Sequence, residues 1–255
     1  MTNTKNSGFT IIELTIFVAM SALLLLVGFS AVSGRTSEAQ FTDSVRTVQS
    51  QLQRNLGSVG VGLNLRSDDL GCSAAGPSGE INIDTGVGQE GIGQSRDCVA
   101  NATLIGFMSD SPEGYTIEAV ASAAERDDDL DSRDHILNSL NQQSTKVVPG
   151  TNQENRLLWE SQFIGSFFVD ESGDISTADN LHLMRIRAID SSSEYVMAAV
   201  SSGTSFELDQ LAFIEEDESY GICLEGDGDR YGSVSVTSDG SVSTEFFDSR
   251  CEGML

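Results

Sequence analysis

The chain has 255 residues, and its 14 Lys+Arg against 39 Asp+Glu leave a formal net charge of −25. That balance opposes non-specific binding to nucleic acid. The length suits one domain with a real hydrophobic core rather than several. The first element is an apolar run of about 24 residues, from Phe9 to Val32. At roughly 1.5 Å per helical residue it crosses a hydrocarbon layer of about 30 Å. A short polar leader, residues 1–8, stands before it, whereas a secretory signal puts its cleavage site after the apolar core. Processing is therefore expected to leave the helix attached as a single-pass membrane segment, with Lys5 before the span and Arg35 after it. One residue breaks the run: Glu13, a carboxylate that costs roughly 2.5–3.5 kcal/mol at a bilayer centre and less near a helix end.

Residues 33–56 continue the helix in amphipathic form. Phe41, Val45, Val48, Leu52 and Leu56 recur at spacings of three and four, with Glu38, Asp43, Arg46, Gln49 and Arg54 on other faces, so they make one stripe for a core. Glycines crowd the chain from Gly57 to Gly93 and are expected to end the helix. Gly86, Gly88 and Gly91 form a formal GxGxxG. A dinucleotide site needs a strand before and a helix after such a loop, and the following IGQSRDC has no helical period, so the segment reads as a surface loop.

The remainder reads as short strands at 101–108, 115–122, 162–170, 181–189, 194–201, 220–225, 231–238 and 241–247, rich in branched and aromatic residues and separated by Gly, Asp and Ser. One short helix is expected within 131–145. Ser238-Asp239-Gly240 is a turn signal between two alternating runs. The expected fold is α+β: a long N-terminal helix whose amphipathic half packs against a C-terminal antiparallel sheet.

The N-terminus also resembles a known pattern. Gly8, then Phe9, then Thr10-Ile11-Ile12-Glu13-Leu14 and a long apolar helix is similar to the prepilin signature of type IV pilins and of type II secretion pseudopilins. The resemblance implies cleavage by a prepilin peptidase between Gly8 and Phe9, N-methylation of Phe9, and Glu13 as the assembly carboxylate, paired with the Phe9 amine of the same or an adjacent subunit. It divides the chain into a leader (1–8), a transmembrane assembly helix (9–32), its amphipathic continuation (33–56) and a pilin-like head outside the cytoplasm (57–255). The implied partners are the peptidase, other pilin subunits, the pilus assembly machinery and the membrane. The implied destination is a surface pilus. The stretch ICLEGDGDRYGSVSVTSDGSVSTEFF resembles the C-terminal hairpins of minor pilins, which makes a minor pilin the expected kind of subunit. DNA binding known among such proteins does not carry over, because Arg230 and Arg250 stand among Glu225, Asp227, Asp229, Asp239, Glu245, Asp248 and Glu252. The alternatives are a pseudopilin and, from another class, a membrane-tethered adhesin or sensor that never polymerises.

Four cysteines, Cys72, Cys98, Cys223 and Cys251, fall in the part expected outside the cytoplasm, where an even number reads as disulfides. Three connectivities exist; Cys72–Cys98 and Cys223–Cys251 are favoured, the second pinning the terminal hairpin as a C-terminal disulfide does in many pilins. No CxxC accompanies His135 and His182 to make a zinc site. Asp127, Asp129 and Asp131 open like an EF-hand loop but lack its glycine and closing glutamate. Asp227 and Asp229 are the remaining calcium candidate, against the plainer reading of a polar turn. Neither GxSxG nor HExxH occurs, no other cofactor is implied, and no catalytic activity is expected.

Overall fold

The computed structural model describes residues 10–60, 71–75, 80–84, 100–122, 132–141, 145–148, 151–188, 193–203, 206–227 and 230–254. Helix α1 (Ile11–Gly60) is one element of 50 residues. By its contacts the chain divides into two compact units, one ending at Gln40 and the other beginning at Phe41. In the first unit the window Ile11–Gly28 has a mean hydropathy of 2.4 and none of it is buried. Ile11 is 81% and Leu24 73% exposed, so no described residue covers this apolar surface. An apolar helix of this length, bare all round, is suited to lipid.

In the second unit α1 turns a stripe inward. Phe41, Val45, Val48, Leu52 and Leu56 are all buried, each side chain contributing roughly 1.5–3 kcal/mol of gross hydrophobic stabilisation before entropic costs. The helix runs past Gly57 to Gly60, four residues beyond the stripe's last member. An interior glycine costs only about 1 kcal/mol relative to alanine.

The stripe meets two antiparallel sheets where one was expected. The larger uses β3 (Ala100–Phe107), β4 (Gly114–Ser122), β5 (Thr145–Val147), β6 (Gln153–Arg156), β9 (Asn180–Ala188), β10 (Glu194–Ser201) and β11 (Ala212–Phe213). Its order is β11-β10-β9-β3-β4-β5, with β6 also paired to β4. The second uses β7 (Gln162–Val169), β8 (Ile175–Ala178), β12 (Ser219–Gly226), β13 (Arg230–Thr237) and β14 (Val242–Phe246) in the order β14-β13-β12-β7-β8. A separate pair joins β1 (Gly71–Ala75) to β2 (Glu80–Asp84). The chain crosses between the two large sheets three times, because β7 finds its partner in β12 while the intervening β9 and β10 pair with the first sheet.

Period-two alternation explains how one sheet serves two cores. Ile105, Phe107, Leu181 and Leu183 join the α1 stripe and Ile222, Leu224, Val234 and Val236 of the second sheet. Ala102, Leu104, Met184, Ile186 and Met197 face the other way, under Ile136 and Leu140 of α2 (Ser132–Asn141). Glycine decides how closely α1 approaches the second sheet. A Cβ at Gly226 would lie 2.4 Å from Phe41 Cδ2, and one at Gly232 would lie 3.2 Å from Val45 Cγ2. At the sheet edge, Gln49 Nε2 and Gln53 Nε2 both donate to the Val242 carbonyl, at 3.0 and 3.3 Å.

Candidate functional site

The start of α1 is built as a reciprocal cap. Thr10 Oγ1 accepts from the Glu13 N–H at 3.3 Å, and Glu13 Oε2 accepts from the Thr10 N–H at 3.0 Å and from Thr10 Oγ1 at 2.9 Å. The first intrahelical bond runs from Leu14 N–H to the Thr10 carbonyl. This is the capping-box arrangement, which satisfies two backbone donors that a helix start otherwise leaves unpaired. Thr10-Ile11-Ile12-Glu13 carries the S/T-x-x-E signature of that box, a local signal that the apolar run around Glu13 obscures. Glu13 therefore has partners inside its own chain, and a carboxylate next to a helix N-terminus is also favoured by the helix dipole. Gly8 and Phe9, the expected cleavage and methylation positions, lie outside the described residues.

At the other end of the chain, Cys223 of β12 is bonded to Cys251, with Cα atoms 5.4 Å apart across 28 positions of sequence. Cys251 sits in the short helix α3 (Ser249–Glu252), which Asp248 caps by accepting from the Arg250 N–H at 2.9 Å. Asp248 is nearly fully buried. Burial pushes its pKa up, but hydrogen bonds from Arg250 and Ser233 win and hold the carboxyl below its ordinary range. The Arg250 guanidinium also reaches Glu245 at 2.8 Å and lies 4.6 Å over the Phe167 ring. A buried carboxylate is tolerated only with such partners. Cys72 lies in β1, but its side chain and all of Cys98 are outside the description, so that pairing is not placed.

The calcium candidate divides in the same way. Asp227 is described, and its backbone carbonyl accepts from the Arg230 guanidinium at 2.7 Å, while Asp229 is outside the described residues. Among the described residues no three His, Cys, Asp or Glu side chains gather as a metal site. The GxGxxG loop and Asp127, Asp129 and Asp131 are also outside the description.

His182, on the same face of β9 as Met184 and Ile186, is 6% exposed. Its ring stacks on Phe206, centroids 3.7 Å apart and planes at 5°. Nδ1 has no hydrogen-bond partner among the described residues, and burial pushes the pKa down to about 4. Gly106, opposite His182 in the ladder, makes room for the ring: a Cβ there would meet His182 Cδ2 at 3.3 Å. A neutral imidazole packed on a phenyl ring is built for packing.

Two further features escaped the sequence reading. Leu158–Ser161 forms a tight turn with Trp159 at φ 56° and Glu160 at φ 58°, closed by Ser161 N–H to the Leu158 carbonyl at 3.1 Å. Left-handed backbone costs L-residues roughly 1–2 kcal/mol each. Neither Gly nor Asn marks the site in the sequence, so no local signal announced it. The other is a cleft of carboxylates, Glu194, Glu215, Glu216, Asp217 and Asp239, beside Arg133. Arg133 pairs with Glu215 and lies 4.5 Å over Phe213. Its members, Glu171 among them, come from five separate stretches that only the fold joins. No family model, curated protein or solved structure matches the chain.

Proposed function

We propose that the chain is a subunit of a type IV pilus-like filament. It inserts in the cytoplasmic membrane by α1, loses its leader between Gly8 and Phe9, and packs into the filament through the exposed apolar half of that helix. The observation that carries the reading is one helix with two characters behind a Gly8-Phe9 junction. Residues Ile11–Gly28 are apolar and bare, while the stripe from Phe41 to Leu56 is buried under antiparallel sheets. Glu13 Oε2 is occupied by Thr10, which lowers the cost of holding the carboxylate in lipid before assembly. Its other oxygen accepts from no described residue and is left for a neighbour's Phe9 amine. The acidic head would stand outside the cytoplasm, and no nucleic-acid partner is part of the reading.

The test is the mature N-terminus and the location of the protein. Wild-type chain is expected to begin at N-methyl-Phe9 and to appear in sheared surface filaments, whereas Gly8→Val should accumulate uncut in the membrane. Glu13→Ala should be cleaved normally but incorporate poorly, because a buried ammonium left unpaired costs about 3–5 kcal/mol. A wild-type chain that keeps Met1 would overturn the proposal. A processed chain confined to the envelope would make it a pseudopilin.

A further inference from the structure

We infer that the Leu158–Ser161 turn, together with the adjoining arginine-bearing face of α1, is a docking surface for the acidic body of a second copy of this chain. The inference rests on the filament-subunit reading and names the contact that one subunit makes with the next outside the membrane helix.

The turn is the first observation. Positive φ at both central residues is the geometry that Asn-Gly takes without strain, yet the positions hold the chain's one tryptophan and a glutamate. Strain of this kind persists where surrounding structure imposes it, and it collects at functional positions. Here it presents Leu158 at 42% and Trp159 at 52% exposure. The ring is also held in place, since Trp159 Nε1 donates to Asp43 Oδ2 on α1 at 3.2 Å. A large aromatic fixed before contact loses little freedom when a partner covers it, and tryptophan is the side chain most enriched at binding hot spots.

Charge identifies the occupant. Arg46 lies three residues beyond Asp43, hence on the same helix face, and Arg54 lies two turns further. Both are exposed, and neither pairs with a described carboxylate. Residues 41–60 hold two arginines and one aspartate, and the turn adds the exposed Glu160, so this surface is balanced in charge, whereas residues 61–255 hold 10 basic and 36 acidic side chains. Two copies therefore repel over most of their surfaces, and that repulsion is least where one presents Arg46 and Arg54 to the acidic body of the other. That contact uses different patches on the two partners, the heterologous kind that propagates into a filament. It also requires copies to be neighbours, which a single subunit at a filament tip would not be.

The test uses the full-length chain expressed in filament-forming cells. Glycine takes positive φ freely, so Trp159→Gly should keep or raise the melting temperature in detergent while its recovery in sheared filaments falls by about tenfold or more. Trp159→Asn should behave in the same way, and Arg46→Glu should lower recovery without unfolding the protein. A photo-cross-linking residue at position 159 should give a dimer-sized adduct whose partner peptide comes from the acidic part of this same chain. Wild-type recovery of Trp159→Gly, with wild type itself present in filaments, would overturn the docking surface and leave the filament reading standing. Adducts to a different polypeptide or to lipid alone would overturn the second-copy assignment. If wild type never enters filaments, the filament reading fails, and the dimer adduct in membranes decides the contact by its presence or absence.

Discussion

Replacing His182 by leucine should make the fold less sensitive to acid. The imidazole is 6% exposed, stacked on Phe206 and neutral, with its pKa pushed by burial down to about 4 from the ordinary 6.5. Above pH 6.5 neither the folded nor the unfolded chain protonates this ring, so it contributes no pH dependence there. Between pH 6.5 and 4 the unfolded chain binds a proton that the folded chain refuses, and stability falls as pH falls. The loss through this one residue works out to about 2 kcal/mol at pH 5 and approaches about 3 kcal/mol below pH 4. Carboxylates titrating in the same range act equally in both proteins and cancel in the comparison. Urea unfolding of full-length wild type and His182→Leu in detergent, at pH 7.5 and pH 5, measures the difference. Whatever leucine does to stability at pH 7.5, through the lost stack and the removed unpaired Nδ1, the gap should move in the variant's favour by about 2 kcal/mol at pH 5. A gap that stays constant across that interval, or an imidazole that titrates above pH 6 in the folded protein, would refute the argument.

Gly226→Ala should cost about 1–3 kcal/mol by overpacking, because the new methyl would fall 2.4 Å from the Phe41 ring; urea midpoints read it, and Phe41→Leu in the same chain should recover part of the loss. Cys251→Ser removes a cross-link spanning 28 positions and should lower stability by about 3–4 kcal/mol in the chain-entropy model. Non-reducing peptide mapping of wild type should return Cys223 linked to Cys251, and any other partner would contradict the structure. Thr10→Val removes both bonds made by the Thr10 hydroxyl and keeps only the backbone N–H on Glu13, so it should lower the stability of the helix start by about 0.5–2 kcal/mol, seen as faster amide exchange at residues 11–14 in micelles.

The reach of the amino-acid sequence on its own is clearest along α1 and in the longer strands. Three- and four-residue spacing is a local property of the chain, and it placed Phe41, Val45, Val48, Leu52 and Leu56 on one face before any partner was known; all five are buried. The same holds for Asn180–Ala188 and Glu194–Ser201, where branched and aromatic residues report a pleated, half-buried surface. Short strands such as Gln153–Arg156 and Ile175–Ala178 are mostly exposed, so burial left no apolar period in them to read. Sheet membership was equally illegible, since β7 reaches across some fifty residues to β12, and that choice depends on how two faces and one helix stripe fill a common core. The candidate site divides along the same line. Glu13 stands out in the sequence because charge in an apolar run is a local anomaly, while its bonds to Thr10 belong to the folded helix start. Trp159, held at φ 56° against Asp43, has no sequence signal, because a strained turn is imposed by the strands and helix around it and by nothing within the four residues themselves.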